Sequence, residues 1–62
     1  MDGKEFRRIR EEELGLTQAQ LGKTMGMRQQ AIQRIESYRG PTTIQAAFLR
    51  FIEAAVKRYR GV

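Results

Sequence analysis

Between positions 17 and 37 the chain reads TQAQLGKTMGMRQQAIQRIES, and this stretch narrows the possible folds more than any other. Thr17 opens it with a side-chain oxygen able to accept a bond from a free amide in the first turn of a helix. Gln20, three residues on, completes a capping-box pattern. Leu21 and Met25 lie four residues apart and so share one helical face. Gly26 follows, where a helix ends by entering the left-handed conformation that glycine adopts at little cost. Met27, Ile32 and Ile35 resume the apolar pattern. Two short helices joined by a tight turn are therefore predicted, over 18–24 and 28–37.

A wheel of the second helix sets Ile32 and Ile35 on one side, with Ala31 at their edge. Gln29, Gln30, Gln33, Arg34 and Ser37 fill the opposite arc, which holds no carboxylate. An ordinary solvated face mixes both signs of charge, because oppositely charged neighbours one turn apart help a helix and like charges do not. Primary amides and guanidinium groups instead match the edges of bases and the oxygens of phosphates.

Residues 4–53 resemble the Cro and phage-repressor family of helix-turn-helix DNA-binding domains (Xre-type). The residues carrying the resemblance are Leu16-Thr17-Gln18, Leu21-Gly22, Gly26, Gln29-Gln30-Ala31-Ile32 and Ile35-Glu36. It implies an all-α, four-helix domain spanning 1–62, with the helix-turn-helix at about 17–37. A fifth helix enters only if 44–60 divides in two. The segment 28–37 becomes the recognition helix, with Gln29 and Gln30 as first base readers, Gln33 and Arg34 next, and Arg28 on a base or a phosphate. Thr17, Gln18, Tyr38, Arg39, Thr42 and Thr43 become candidates for the phosphate backbone, Gln18 alternatively clasping a recognition-helix glutamine. The resemblance further implies binding to partly symmetric operators as a dimer.

The sequence departs from the family pattern in three places. The resemblance implies a structural ion pair between Arg10 and Glu36, but one residue more than usual separates Arg10 from Thr17, so the pairing holds, shifts to Arg7 or fails. Gly22 stands where alanine is common, a loss of about 1 kcal/mol in helix propensity. Tyr38 replaces a glycine, and the loop to Pro41 is short, leaving Tyr38 either on phosphate or packed under the loop.

Charge supports the same partner. The formal net charge of +5 is uneven: residues 1–15 carry −1, 16–50 carry +4 and 51–62 carry +2. Positive charge thus gathers where the polar arc lies. Neither cysteine nor histidine occurs, which removes disulfides, thiol catalysis and the usual transition-metal sites. Glu11, Glu12 and Glu13 read as a solvated face, and no nucleophile–base or paired-carboxylate arrangement points to an enzyme. No cofactor or metal is expected. No stretch is apolar enough to cross a bilayer and no signal peptide opens the chain, so a cytoplasmic protein of a bacterial or phage-infected cell is expected.

At the start, Asp2 caps a first helix whose apolar stripe is Phe6 and Ile9, ended by Gly15. At the other end, positions 44, 47, 48, 51, 52, 55 and 59 form a helical stripe that Leu49 and Val56 widen. One long helix is predicted, closing the core through Ile44, Ala47, Phe48 and Phe51 or Ile52. A dimer contact falls on Leu49, Ile52, Val56 and Tyr59, because the stripe exceeds what so short a chain can cover. A sequence-specific repressor is the leading expectation. An antitoxin whose last helix holds a toxin, or a protein-interaction module on the same scaffold, is the alternative.

Overall fold

The computed structural model describes residues 1–61; Val62, the last residue of the expected 1–62 domain, lies outside them. Four helices account for nearly all of it. Helix α1 spans Gly3–Arg8 and runs on without a break into a π-helical turn, Ile9–Leu14; α2 spans Gln18–Met25, α3 Gln29–Ser37 and α4 Thr43–Arg60. Among the described residues there is no strand, and no helix is long and apolar enough to cross a membrane.

The starts and stops follow local chemistry. The Asp2 carboxylate accepts the Glu5 amide at 2.8 Å, while the Glu5 side chain turns to the Arg8 guanidinium instead of completing a reciprocal box. Thr17 with Gln20, and Thr42 with Gln45, do form full capping boxes. Gly26 ends α2 at φ 70°, the left-handed geometry that lets its amide reach back to the α2 carbonyls.

Between Arg10 and Thr17 the chain does something the apolar pattern does not announce. The Gly15 amide donates to the Arg10 carbonyl, five residues back, so the helix widens by one residue in its last turn. This wide turn absorbs the residue by which the chain exceeds the usual spacing. Leu14 therefore still points inward.

Phe6, Ile9, Leu14, Leu21, Ile32, Ile35 and Leu49 form the core, with Leu16, Met25, Met27, Ile52 and Val56 packed around it. Every helix contributes. Gly3 and Gly22 mark close approaches. A β-carbon on Gly3 would lie 2.6 Å from the Ile35 and Glu36 carbonyl oxygens, and one on Gly22 would lie 2.6 Å from the Met27 carbonyl oxygen.

Helix α4 is single and continuous, as its uninterrupted stripe predicts. Its rotation differs from expectation. Leu49 is fully buried, whereas Ile44 is 80% exposed, Phe51 73% and Phe48 43%, with Ala47 also on the outside. Ile44, Ala47, Phe48 and Phe51, expected to close the core, thus face solvent; Ile52, the alternative to Phe51, does pack against it, and Leu49, expected at a dimer surface, closes the core. The face turned inward is the one that joins Leu49, Ile52 and Val56, spaced i, i+3 and i+7. Lys57 reaches the Glu13 carboxylate at 3.4 Å and the Arg60 guanidinium donates to the Glu13 carbonyl at 3.1 Å. Buried Glu53 is satisfied by Arg50 and Lys57 at 3.3 and 3.6 Å. These polar contacts flank the inward face.

Candidate nucleic-acid interface

Helix α3 is held from beneath by a single carboxylate. Glu36 accepts the Arg10 Nε at 2.6 Å and Nη2 at 3.1 Å, and the Gln18 Nε2 at 3.1 Å. The remaining Arg10 nitrogen donates to the Leu16 carbonyl at 2.8 Å. Both charged side chains are nearly sealed, 8% and 4% exposed, and no buried side-chain polar atom among the described residues lacks a partner. Hydrogen bonding to Glu36 lifts the Arg10 pKa above its ordinary value against the opposing effect of burial. A carboxylate near a helix C-terminus meets the negative end of the dipole, so Glu36 needs this cationic partner.

The pairing therefore belongs to Arg10, and Arg7 binds Glu11 at 2.9 Å instead. Gln18 clasps Glu36 rather than a glutamine, which sets the first turn of α2 against the last turn of α3.

With Ile32 and Ile35 buried and Glu36 engaged below, Gln29, Gln30, Gln33, Arg34 and Ser37 all face solvent. Arg28, exposed, precedes them as an N-cap residue whose side chain makes no capping bond, so the first amides of α3 have no side-chain acceptor. Beyond the helix Tyr38 is 80% exposed, which excludes packing beneath the loop, and Arg39 is exposed beside it. Thr17 at the start of α2, and Thr42 and Thr43 at the start of α4, are exposed as well. Tyr59 is open to solvent, Ile52 and Val56 are half-buried against the core, and Leu49 offers no surface at all.

The cations divide into two groups. Arg7, Arg8, Arg10, Arg50 and Lys57 all sit in ion pairs. Among the described residues Lys4, Lys23, Arg28, Arg34, Arg39, Arg58 and Arg60 have no such partner, although Arg60 donates to the Glu13 carbonyl. Four of these seven, Lys23, Arg28, Arg34 and Arg39, lie between the start of α2 and the loop after α3. Most of the charge of the acidic first helix is consumed internally, and that of the helix-turn-helix is left for something else. Among the described residues no group of acids could hold a metal ion.

A helix-turn-helix family model matches residues 6–49, from the first core phenylalanine to the buried leucine of α4. The chain belongs to the Cro/phage-repressor type of helix-turn-helix family. That family binds DNA, and α2, its turn and α3 are the helix-turn-helix itself. No curated protein and no solved structure matches the chain.

Two supports of this helix-turn-helix escape sequence reasoning. Gly3 lets α1 touch the carbonyls at the end of α3, yet Asp2-Gly3 in a sequence reads only as a helix start. The π-helical turn keeps Arg10 under Glu36, and its one signal is the extra residue before Thr17.

Proposed function

We propose that this chain is a sequence-specific transcriptional regulator that binds double-stranded DNA as a homodimer, a repressor that occupies a two-fold symmetric operator. The observation that carries the reading is the exposed, carboxylate-free arc of α3, flanked by cations without internal partners. Set into the major groove, Gln29 and Gln30 pair with adenine N6 and N7, and Arg34 or Arg28 with guanine O6 and N7. Gln33 reads one turn further along. Thr17, Tyr38, Arg39, Thr42 and Thr43 contact phosphates, which position the helix without reading sequence. Gln18 keeps its amide on Glu36 and contributes through its place at the start of α2. One nine-residue helix reads few base pairs. Two copies, with recognition helices roughly 34 Å apart on one face of the duplex, read twice as many.

Selection of bound duplexes from a random pool, followed by footprinting, tests the reading. A recovered inverted repeat with half-site centres one turn apart is expected. In that context Gln29→Ala or Gln30→Ala relaxes one base pair per half-site, by about 1–3 kcal/mol of discrimination, and leaves binding to random DNA nearly intact. Equal losses on selected and random duplexes remove the base-reading role.

A further inference from the structure

The last carbonyls of a helix have no hydrogen-bond partner within it. At the end of the first helix one of them is taken from far along the chain. The Arg60 guanidinium, in the last turn of α4, donates to the Glu13 carbonyl at 3.1 Å, and Lys57, one turn earlier, meets the Glu13 carboxylate at 3.4 Å. The last turn of α4 therefore caps the last turn of the first helix.

That capped turn is the π-helical one, and its other side carries the helix-turn-helix. The Arg10 carbonyl accepts both the Gly15 and the Leu16 amides. The Arg10 guanidinium returns a bond to the Leu16 carbonyl and gives its other nitrogens to Glu36. Leu16 is thus fixed at its N–H and at its C=O, two residues before Gln18 reaches the same Glu36. One six-residue turn, Ile9–Leu14, is held by α4 and itself holds the start of α2 against the end of α3.

We infer that Arg60 is a positioning residue for DNA binding. By capping Glu13 it keeps the wide turn in place, and through Arg10 and Leu16 it keeps the first turn of α2 aligned with the last turn of α3. Arg60 itself touches no DNA. The inference rests on the DNA-binding reading above.

The helical pattern shows what the cap opposes. Phe6, Ile9, Arg10 and Leu14 are buried, and Glu13 is half-buried beside them. In a continuous α-helix residue 13 follows residue 6 by two turns and shares its face. Rewinding the wide turn therefore draws the Glu13 carboxylate toward the core, whereas Arg60 and Lys57 hold Glu13 at the rim. The route onward is short, since Glu13 and Arg10 share one turn and Arg10 touches Glu36 directly. An exposed polar contact of this kind contributes little to stability. Its loss leaves the domain folded and acts on pre-organisation, because a loosened turn must be ordered again when DNA binds.

Arg60→Ala tests this beside Arg58→Ala, which removes the same charge from an exposed α4 position with no ion-pair partner among the described residues. Far-UV circular dichroism checks that both variants are folded at the working temperature. On a selected duplex Arg60→Ala should bind roughly 2- to 30-fold more weakly than Arg58→Ala, with the slope of log affinity against log salt unchanged from the parent. In the free protein the Arg10 Nε–H and Gln18 side-chain amide resonances should shift or broaden in Arg60→Ala and stay in place in Arg58→Ala. Arg60→Lys, which keeps a donor for the Glu13 carbonyl, should restore much of both. A slope reduced by about 1 makes Arg60 a phosphate contact and overturns the inference. Affinity equal to that of Arg58→Ala overturns it as well, and so does a loss with the two resonances unmoved or without recovery in Arg60→Lys. Failure of the unsubstituted chain to bind any duplex sinks the regulator reading and this inference with it; each of the other failures sinks the inference alone.

Discussion

A methyl group at position 22 would sit 2.6 Å from the Met27 carbonyl oxygen, a separation that real β-carbons do not tolerate. Helix propensity alone favours alanine there by about 1 kcal/mol. The turn is tightly closed, however: the Met27 amide donates to the Gly22 carbonyl at 2.6 Å. Steric conflict outweighs propensity. Gly22→Ala should lower stability by about 1–3 kcal/mol, read as a fall in the urea midpoint with an unchanged slope. A rise in the midpoint would show that the turn relaxes freely. Arg10 offers the complementary case. Arg10→Met leaves the Glu36 carboxylate buried without a cation and the Leu16 carbonyl without its donor. A loss of about 3–5 kcal/mol is expected, enough to unfold much of a small domain, and thermal denaturation would measure it. Glu36 with Arg10 was legible as one option, beside Arg7, because both ends hold recognisable places in a known pattern; that Gln18 joins them was not. Gly3 was not, since a single chain gives no sign that a backbone 32 positions away approaches its α-carbon.

Among the elements, α2 and α3 were the easiest to foresee. A cap, a glycine and apolar residues one turn apart all point to the same two helices, and agreement between independent local signals is what makes a segment specify its structure. The rotation of α4 was not foreseeable in the same way. Its apolar positions cover two faces, and hydrophobic periodicity has no means of choosing between Leu49 and Phe51 as the buried one. The choice shows only in the fold, where Leu49, Ile52 and Val56 meet the core and Lys57 and Arg60 meet Glu13, partners 44 and 47 residues apart. Between these extremes stands the π-helical turn. If it exists to absorb one residue, then deleting Glu12, which is exposed, should return Ile9–Leu14 to ordinary α-helix while keeping Arg10 beneath Glu36. Stability should change by less than about 1 kcal/mol, and the chemical shifts around Glu36 should stay close to those of the parent. Collapse of the variant would show that the wide turn has a role beyond spacing.

For the molecule as a whole, electrostatics separates folding from binding. Five cations close ion pairs within the chain, and substituting those changes stability more than affinity. Arg39 belongs to the other group. On the proposed function, Arg39→Ala should weaken binding to every duplex alike and reduce the slope of log affinity against log salt by about 1 per protomer. Titration of selected and random DNA at several ionic strengths measures both, and an unaltered slope takes Arg39 off the phosphate. The partition was visible early as a charge gradient along the chain, although which cations remain unmatched depends on where the helices place them.

Those unmatched cations have a further consequence in a crowded cell. Any long polyanion offers them relief, and chromosomal DNA offers it at millions of indifferent positions for each preferred one. A chain with such a surface would spend little time adrift. On the proposed function it would pass from one indifferent stretch to the next, and how often its preferred stretch is filled would depend on the ratio of copies to competing DNA rather than on tightness of grip alone.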